Sequence, residues 1–191
     1  MKGESGIGKS TLLKLIAGLD RNFQGDIAVQ GKKISKLSDF SLSRFRNETI
    51  GFVIQESLVI DNYSVLENIL VPAVYAQKAK KIEALTHANE LMASLNISDI
   101  QNKKGRQLSL GQRQRVAIAR ALVLKPEIIL ADEPTSSVDE KNQERILSLL
   151  MALKKQGTGI VIASHDKQVL DIADKKYKIT DKNIVSVSHI C

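Results

Sequence analysis

The chain has 191 residues, of which 43% are hydrophobic and only 4% aromatic, so one domain with an aliphatic core is expected. No apolar run approaches the roughly 18 residues that a transmembrane helix needs, and the single cysteine, Cys191, excludes an internal disulfide. The formal net charge of +7 comes from scattered Lys and Arg that are not interleaved with aromatic residues. This pattern favours a solvated basic surface over a nucleic-acid or membrane interface.

The first predicted element is a phosphate-binding loop. Residues 3–10 read Gly-Glu-Ser-Gly-Ile-Gly-Lys-Ser and match the pattern G-x-x-x-x-G-K-[ST]. The glycines permit a tight turn whose N–H groups surround phosphate oxygens, Lys9 adds a positive charge, and the Ser10 hydroxyl can ligate Mg²⁺. Residues 11–17 are predicted to form a helix whose positive end faces the same phosphates. A chance glycine-rich turn is the alternative.

Only Met1 and Lys2 precede this loop. Such a loop needs a hydrophobic strand in front of it, which fixes it at the edge of a parallel sheet. We therefore expect the supporting strand to be largely missing, because the chain is a fragment, starts inside a longer reading frame, or is degenerate. In that case the chain would bind ATP weakly and expose an open sheet edge.

Periodic patterns predict the remaining elements. Strands are predicted at 26–31 (antiparallel), 49–55, 127–132 and 159–163, and helices at 63–95, 112–124 and 143–153. Residues 37–47 are predicted to form a polar helix or a turn. Pro72 is expected to split the helical stretch 63–95, whose later part carries an apolar stripe at Ile82, Leu85, Ala88, Leu91 and Met92. Strands that alternate with helices predict an α/β fold with a parallel sheet covered by helices.

Polar residues follow several of these strands. Ligands bind beyond the carboxyl ends of parallel strands, so Gln55, Asp132, Glu133 and His165 should converge with the phosphate-binding loop. Asp132 can hold Mg²⁺, and Glu133 can orient or deprotonate an attacking water. A strand-ending turn is the alternative for this pair. His165 in isolation indicates only a strand-to-helix turn with Asp166 as the N-cap.

A second anion site is predicted at residues 108–112. The Ser109 hydroxyl and the Gly111 N–H would face outward at the start of the helix 112–124. One domain would then carry two phosphate-binding elements but one acid pair. A symmetric dimer explains this, because each chain would present its second element to the other chain's loop.

Taken in order, these motifs resemble those of the ATPase cassettes of ABC transporters. The matching segments are 3–11, 51–55, 108–122, 128–135, 136–139 and 163–166, and the resemblance runs from residue 3 to about Val185. Residues 63–72 resemble the lipoprotein-release, macrolide-efflux and bacteriocin exporter group. One departure is Leu110, where the family usually has Gly; the neighbouring Ser109 and Gly111 remain, so we expect binding to survive.

The resemblance implies a P-loop NTPase (RecA-like) fold, with a parallel sheet flanked by helices and an inserted helical subdomain. It implies a single domain over 1–191, with the core at 1–56 and 107–191 and the helical subdomain at 57–106. The family's N-terminal β-subdomain would be largely missing, together with the aromatic residue that stacks on adenine.

The resemblance also assigns residue roles. Glu133 would be the catalytic base, His165 the switch that contacts the γ-phosphate, and Gln55 the catalytic Q-loop residue that couples to the membrane subunit. The metal ligands would be Ser10, Gln55 and Asp132. Nucleotide-binding residues would be Gly3, Ser5, Gly6, Gly8, Lys9, Ser10, Thr11, Ser109, Gly111, Gln112 and Asp139. Of these, Ser109, Gly111 and Gln112 would touch the partner chain's γ-phosphate.

The implied function is ATP hydrolysis, with ATP and Mg²⁺ as cofactors, that powers export of a peptide, lipoprotein or drug-like substrate through separate permease subunits. The cassette would form a homodimer, or a heterodimer with a second cassette, on the cytoplasmic face of the plasma membrane. No nucleic-acid partner is expected. The alternatives are a non-transport ABC protein and an inactive or fragmentary cassette. The stretch from Gln55 to Ser109 is too short for the coiled-coil insertions of DNA-repair relatives.

Overall fold

The structure is a computed structural model that describes residues 1–2, 6–54, 58–180 and 183–187. Within these ranges the helices are α1 Lys9–Ile16, α2 Asp39–Thr49, α3 Val65–Val74, α4 Lys78–Ser94, α5 Leu110–Leu122, α6 Glu140–Lys155 and α7 Lys167–Asp171. The strands are β1 Ala28–Val29, β2 Lys32–Lys33, β3 Ile50–Val53, β4 Ile128–Asp132, β5 Gly159–Ala163, β6 Lys176–Ile179 and β7 Ile184–Val187. Each predicted helix and strand has a counterpart among these elements, but the antiparallel strand predicted at 26–31 is reduced to Ala28–Val29, and the split predicted at Pro72 lies later in the chain.

The central sheet has the strand order β3-β4-β5, and both pairings are parallel. The middle strand β4 is buried along almost its whole length, as its run of apolar residues predicts. Its alternating side chains enter two apolar clusters. Ile129 and Ala131 belong to the larger cluster, which contains residues of α3, α4, α5 and α6, whereas Leu130 joins Leu13 of α1 in the smaller one. The parallel α/β sheet confirms the predicted fold class.

Met1 and Lys2 lie between β5 and β6. The Met1 amino group donates to the Ile162 carbonyl, and the Ser164 N–H donates to the Met1 carbonyl at 3.1 Å. The Lys2 N–H donates to Tyr177, and the Lys2 carbonyl accepts from Ile179, both at 2.9 Å. These bonds have the spacing of a parallel strand. The residues directly before the phosphate-binding loop are therefore held on both sides.

The predicted split of the stretch 63–95 into two helices is confirmed, but it lies at residues 75–77, between α3 and α4, and not at Pro72. Pro72 lies inside α3, and the chain leaves the helix three residues later, at Tyr75. A proline in the last turn of a helix removes a single backbone hydrogen bond there, so the helix continues. The Pro72 carbonyl in turn accepts a hydrogen bond from the Asn47 side chain at 3.0 Å. A capping box between Ser64 and Glu67 fixes the start of α3.

The helices α3, α4 and α5 pack against one another on one face of the sheet. None of the helices in the described residues combines the length and the apolar character needed to cross a membrane.

Candidate functional site

The phosphate-binding loop leads directly into α1. Gly6 and Gly8 have φ of +82° and +101°, a left-handed conformation that favours glycine. Gly8 is the N-cap, so Lys9, Ser10 and Thr11 form the first turn of α1. No acidic residue lies in that turn, so the positive end of the helix is not neutralised within it. The predicted site residues Gly3 and Ser5 lie outside the described residues.

Asp132 and Glu133 end β4 as predicted, and both are buried. Glu133 has φ of +47°, which is unusual for a residue other than glycine. Its N–H donates to the Ala163 carbonyl of β5 at 2.9 Å, which fixes this backbone. A non-glycine residue held in the left-handed region at the end of a central strand is typical of functional sites.

Two neighbours from the end of β5 hold the Glu133 carboxylate. The Ser164 hydroxyl donates to Oε2 at 3.0 Å, and His165 Nδ1 lies 2.8 Å from Oε1. Ser164 is 1% exposed, whereas the His165 side chain is 76% exposed. Asp166 accepts from the Gln168 N–H at 2.8 Å and caps α7, so the turn interpretation of this segment is also correct. The structure thus places the predicted base and switch side by side.

The phosphate-binding loop meets this group at the Met1 amino group. Burial lowers the pKa of that amino group, while the charge of Glu133 raises the pKa and that of Lys9 lowers it. Both charged side chains therefore lie within electrostatic reach of one atom. The convergence of the whole predicted set stays a prediction, because Gln55 lies outside the described residues.

The predicted second anion element forms the start of α5. The Ser109 hydroxyl accepts from the Gln112 N–H at 3.3 Å, and Gln112 Oε1 accepts from the Ser109 N–H at 3.0 Å. This capping box fixes the first turn of the helix. Gly111 lies against the next loop, because a Cβ placed on it would be 3.0 Å from the Ser137 carbonyl oxygen. Leu110, the departure in the signature, is exposed.

Asp139 lies close to this turn and caps α6. Its Oδ1 accepts from the Asn142 N–H at 3.0 Å, and its Oδ2 accepts from the Asn142 amide at 2.7 Å. These hydrogen bonds hold the pKa of the Asp139 carboxyl below its ordinary value. Beside the phosphate-binding loop, the site residues therefore form two groups, in which Ser164 joins the predicted ones. The β4 group is Asp132, Glu133, Ser164 and His165, and the α5 group is Ser109, Gly111, Gln112 and Asp139.

The donor set near the loop fits magnesium. No three His, Cys, Asp or Glu side chains cluster as a metal site within the described ranges. Mg²⁺ keeps several waters and takes one or two carboxylates together with substrate phosphates, so it needs no such cluster. The buried Asp132 carboxylate and the Ser10 hydroxyl are oxygen donors of the required kind. Gln55, the third predicted ligand, lies outside the described residues.

Sequence reasoning missed Ser164 as a member of the site. Its position between the strand end and His165 is the only signal in the sequence. Gln114, which is fully buried on α5, was also missed. Buried polar side chains of this kind are recognised only from their partners in the fold.

Comparison with known proteins agrees with this geometry. Residues 1–136 match the family described as ABC transporter. The chain belongs to the ABC transporter family. The cassette is 39% identical over 183 residues to the lipoprotein-releasing system ATP-binding protein LolD of Bacteroides thetaiotaomicron, covering 95% of this chain and 84% of LolD. It is 41% identical over 186 residues to the macrolide export ATP-binding/permease protein MacB of Hyphomonas neptunium, covering 97% of this chain but only 29% of MacB.

The solved structures give the same result. The bacterial ABC transporter cassette MJ0796, described as dimeric, superposes with a TM-score of 0.87 at 33% identity, covering 99% of this chain and 84% of that one. A second MJ0796 structure, of a post-hydrolysis state bound to ADP and phosphate, matches equally well. These comparisons confirm the predicted resemblance, the P-loop NTPase fold and the ATP-hydrolysing class of the cassette.

Proposed function

We propose that this cassette binds Mg-ATP and uses its hydrolysis to power export of a lipoprotein, peptide or drug-like substrate through separate membrane subunits. In this proposal it works from the cytoplasmic face of the membrane. The observation that carries the proposal is the Glu133 carboxylate, which is oriented by Ser164 and His165 one residue beyond the buried Asp132.

In this mechanism Lys9 and the first turn of α1 bind the phosphates. Asp132 and Ser10 would hold Mg²⁺, which neutralises phosphate charge when bound. Glu133 orients the attacking water and accepts its proton. The exposed ring of His165 would contact the γ-phosphate. The Ser164 hydroxyl keeps Glu133 in one orientation while these groups act.

The α5 group acts on a second chain. Its residues Ser109 and Asp139 are exposed, and α5, which Ser109 caps, carries no acidic residue in its first turn. Such a helix start attracts phosphate. Two chains related by a two-fold axis would each complete the other's nucleotide site. The dimeric state of the MJ0796 cassette supports this arrangement.

A groove of about 730 Å³ lies between α2, β3, α3 and α5 and is our candidate for the membrane-subunit contact. Phe40 and Tyr75, both more than three-quarters exposed, lie along it. The Arg120 guanidinium, which also lines it, donates to the Leu58 carbonyl shortly after Gln55. Exposed aromatic residues are frequent at protein interfaces. Tyr75→Ser should therefore reduce co-purification with the membrane subunit and leave the basal ATPase rate intact.

Two variants distinguish the proposed role of Glu133 in hydrolysis from that of Lys9 in ATP binding. Glu133→Gln should retain ATP and trap a dimer while the hydrolysis rate falls about 100-fold or more, because the base is lost but the phosphate site remains. Lys9→Ala should instead weaken ATP binding itself. Phosphate release and calorimetric affinity measure the two effects.

The control is Glu144→Gln, the same change on the exposed surface of α6, which should leave both quantities unchanged. Phosphate release near the wild-type rate in Glu133→Gln would contradict the assignment of the base.

A further inference from the structure

One buried side chain joins α5 to the loop that follows the catalytic base. Gln114 is 0% exposed, and its Nε2 donates to the Pro134 carbonyl at 3.1 Å. Pro134 directly follows Glu133 in the chain. A buried carbonyl that lost this donor would be left unsatisfied, so the bond resists being broken. Gln114 thereby fixes the distance between the helix and the end of the β4 group.

The same face of α5 meets the rest of that loop. Gly111 lies against the Ser137 carbonyl and the Val138 side chain, with no room for a larger residue without movement. Arg115 is buried, and burial lowers its pKa, while the charge of Asp139 raises it. The loop from Pro134 to Asp139 therefore follows the first two turns of α5 closely.

The other polar contacts of α5 point elsewhere and are more exposed. Arg113 pairs with Asp61 at 3.1 Å, and Arg120 reaches the Leu58 carbonyl. The Arg113–Asp61 pair can exchange its partners for water at little cost, and the desolvated Arg120 bonds to Leu58 and not to the loop after Glu133. The hydrogen bond from Gln114 is thus the contact of α5 best suited to transmit a displacement of the catalytic loop to the start of α5.

We propose that Gln114 is a positioning residue that makes the catalytic loop and the start of α5 move as one unit. When nucleotide shifts the loop after Glu133, Ser109 and Gly111 shift with it, and these residues face the second chain. The state of one nucleotide site is thereby passed to the other. This inference rests on the proposed function, because it requires that Ser109 and Gly111 complete the site of a partner chain.

The test uses Gln114→Met, which keeps a side chain of similar length and removes the amide. Gln156→Met is the matched control, because it makes the same change on the surface. Both variants should keep the thermal unfolding midpoint within a few degrees and the ATP affinity of the monomer within about twofold. If Gln114→Met does not fold, Gln114→Leu removes the donor with a shorter apolar side chain.

Mixed dimers locate the effect. The reference dimer pairs a wild-type chain with a Lys9→Ala chain, so only one of its two nucleotide sites can bind ATP. That site takes Glu133 from the wild-type chain, the first chain, and Ser109 from the Lys9→Ala chain, the second chain. Gln114→Met is placed on the first chain in one arm and on the second chain in the other. Because Gln114 joins both groups, each arm should lose roughly fivefold or more in kcat, with little change in KM.

If kcat falls in only one of the two dimers, Gln114 positions only the β4 group or only the α5 group. If kcat falls in neither dimer, Gln114 positions neither group. Each result overturns the inference. A reference dimer without activity would instead contradict the proposed function. The two failures are therefore distinguished within one experiment.

Discussion

The β4 group and the α5 group are built in opposite ways. Asp132, Glu133 and Ser164 are buried at the centre of the sheet, and their backbone is tied to neighbouring strands. Ser109 and Asp139 are exposed at helix ends, and their side chains satisfy their own helices. The first group is held rigidly inside its own chain and, in the proposed function, supplies the catalytic residues of the site. The second group is a preformed surface that, in the proposed function, binds the nucleotide of a second chain.

The largest expected effect is on the free energy of unfolding, when a leucine beneath the β4 group is compared with a leucine in the α5 group. Leu130 is fully buried under the β4 group, whereas Leu110 lies exposed within the α5 group. Leu130→Ala should lower the free energy of unfolding by about 2–5 kcal/mol, because it leaves a cavity beneath the catalytic strand. Leu110→Ala should change that energy by less than about 0.5 kcal/mol. Denaturant unfolding measures both, and similar losses would contradict the contrast.

A smaller effect is expected from the hydroxyl that holds Glu133. Ser164→Ala removes a buried donor to the carboxylate and should cost about 1 kcal/mol of stability and roughly tenfold in kcat. Ser94→Ala removes an exposed helical hydroxyl and serves as the control, with no effect on kcat. Turnover and thermal unfolding of both variants test this. An unchanged kcat in Ser164→Ala would show that His165 alone orients the base.

The smallest effect concerns the N-cap of α6. Hydrogen bonds from Asn142 hold the pKa of Asp139 below its ordinary value, and therefore below its value in the unfolded chain. The stability that this carboxylate contributes is therefore present at neutral pH and is lost as the pH falls through the folded pKa. Asp139→Asn keeps a capping side chain but cannot titrate. Its unfolding midpoint should fall less steeply than that of the wild type on acidification; parallel curves would exclude this contribution.

Much of both groups could be predicted from the sequence, because their chemistry depends on short motifs at fixed spacing. The convergence of Lys9 with Glu133 followed from the rule for parallel sheets. The left-handed backbone of Glu133 could not be predicted, since propensity disfavours it and only the pairing with Ala163 imposes it. The Ser164 bond to Glu133 depends in the same way on tertiary contact.

The helical region shows the same limit. Ile82 and Leu85 share the apolar spacing that predicted a helix here, and the helix is confirmed, yet these two side chains are 70% and 51% exposed. The other members of the stripe, Ala88, Leu91 and Met92, are buried, and Ala84 joins them on the buried face of α4. Small side chains let helices approach closely, so packing, rather than hydrophobicity alone, selects the face.

The central claim is that one nucleotide site combines the β4 group of one chain with the α5 group of another, and a mixed dimer tests it most directly. Lys9→Ala and Ser109→Arg chains should each be inactive as homodimers. In the mixed dimer one site carries both lesions and the other carries neither, so ATPase activity should return to as much as roughly half the wild-type rate. Recovery of phosphate release on mixing is the predicted result. No recovery, in mixed dimers isolated through two different affinity tags, would contradict the account.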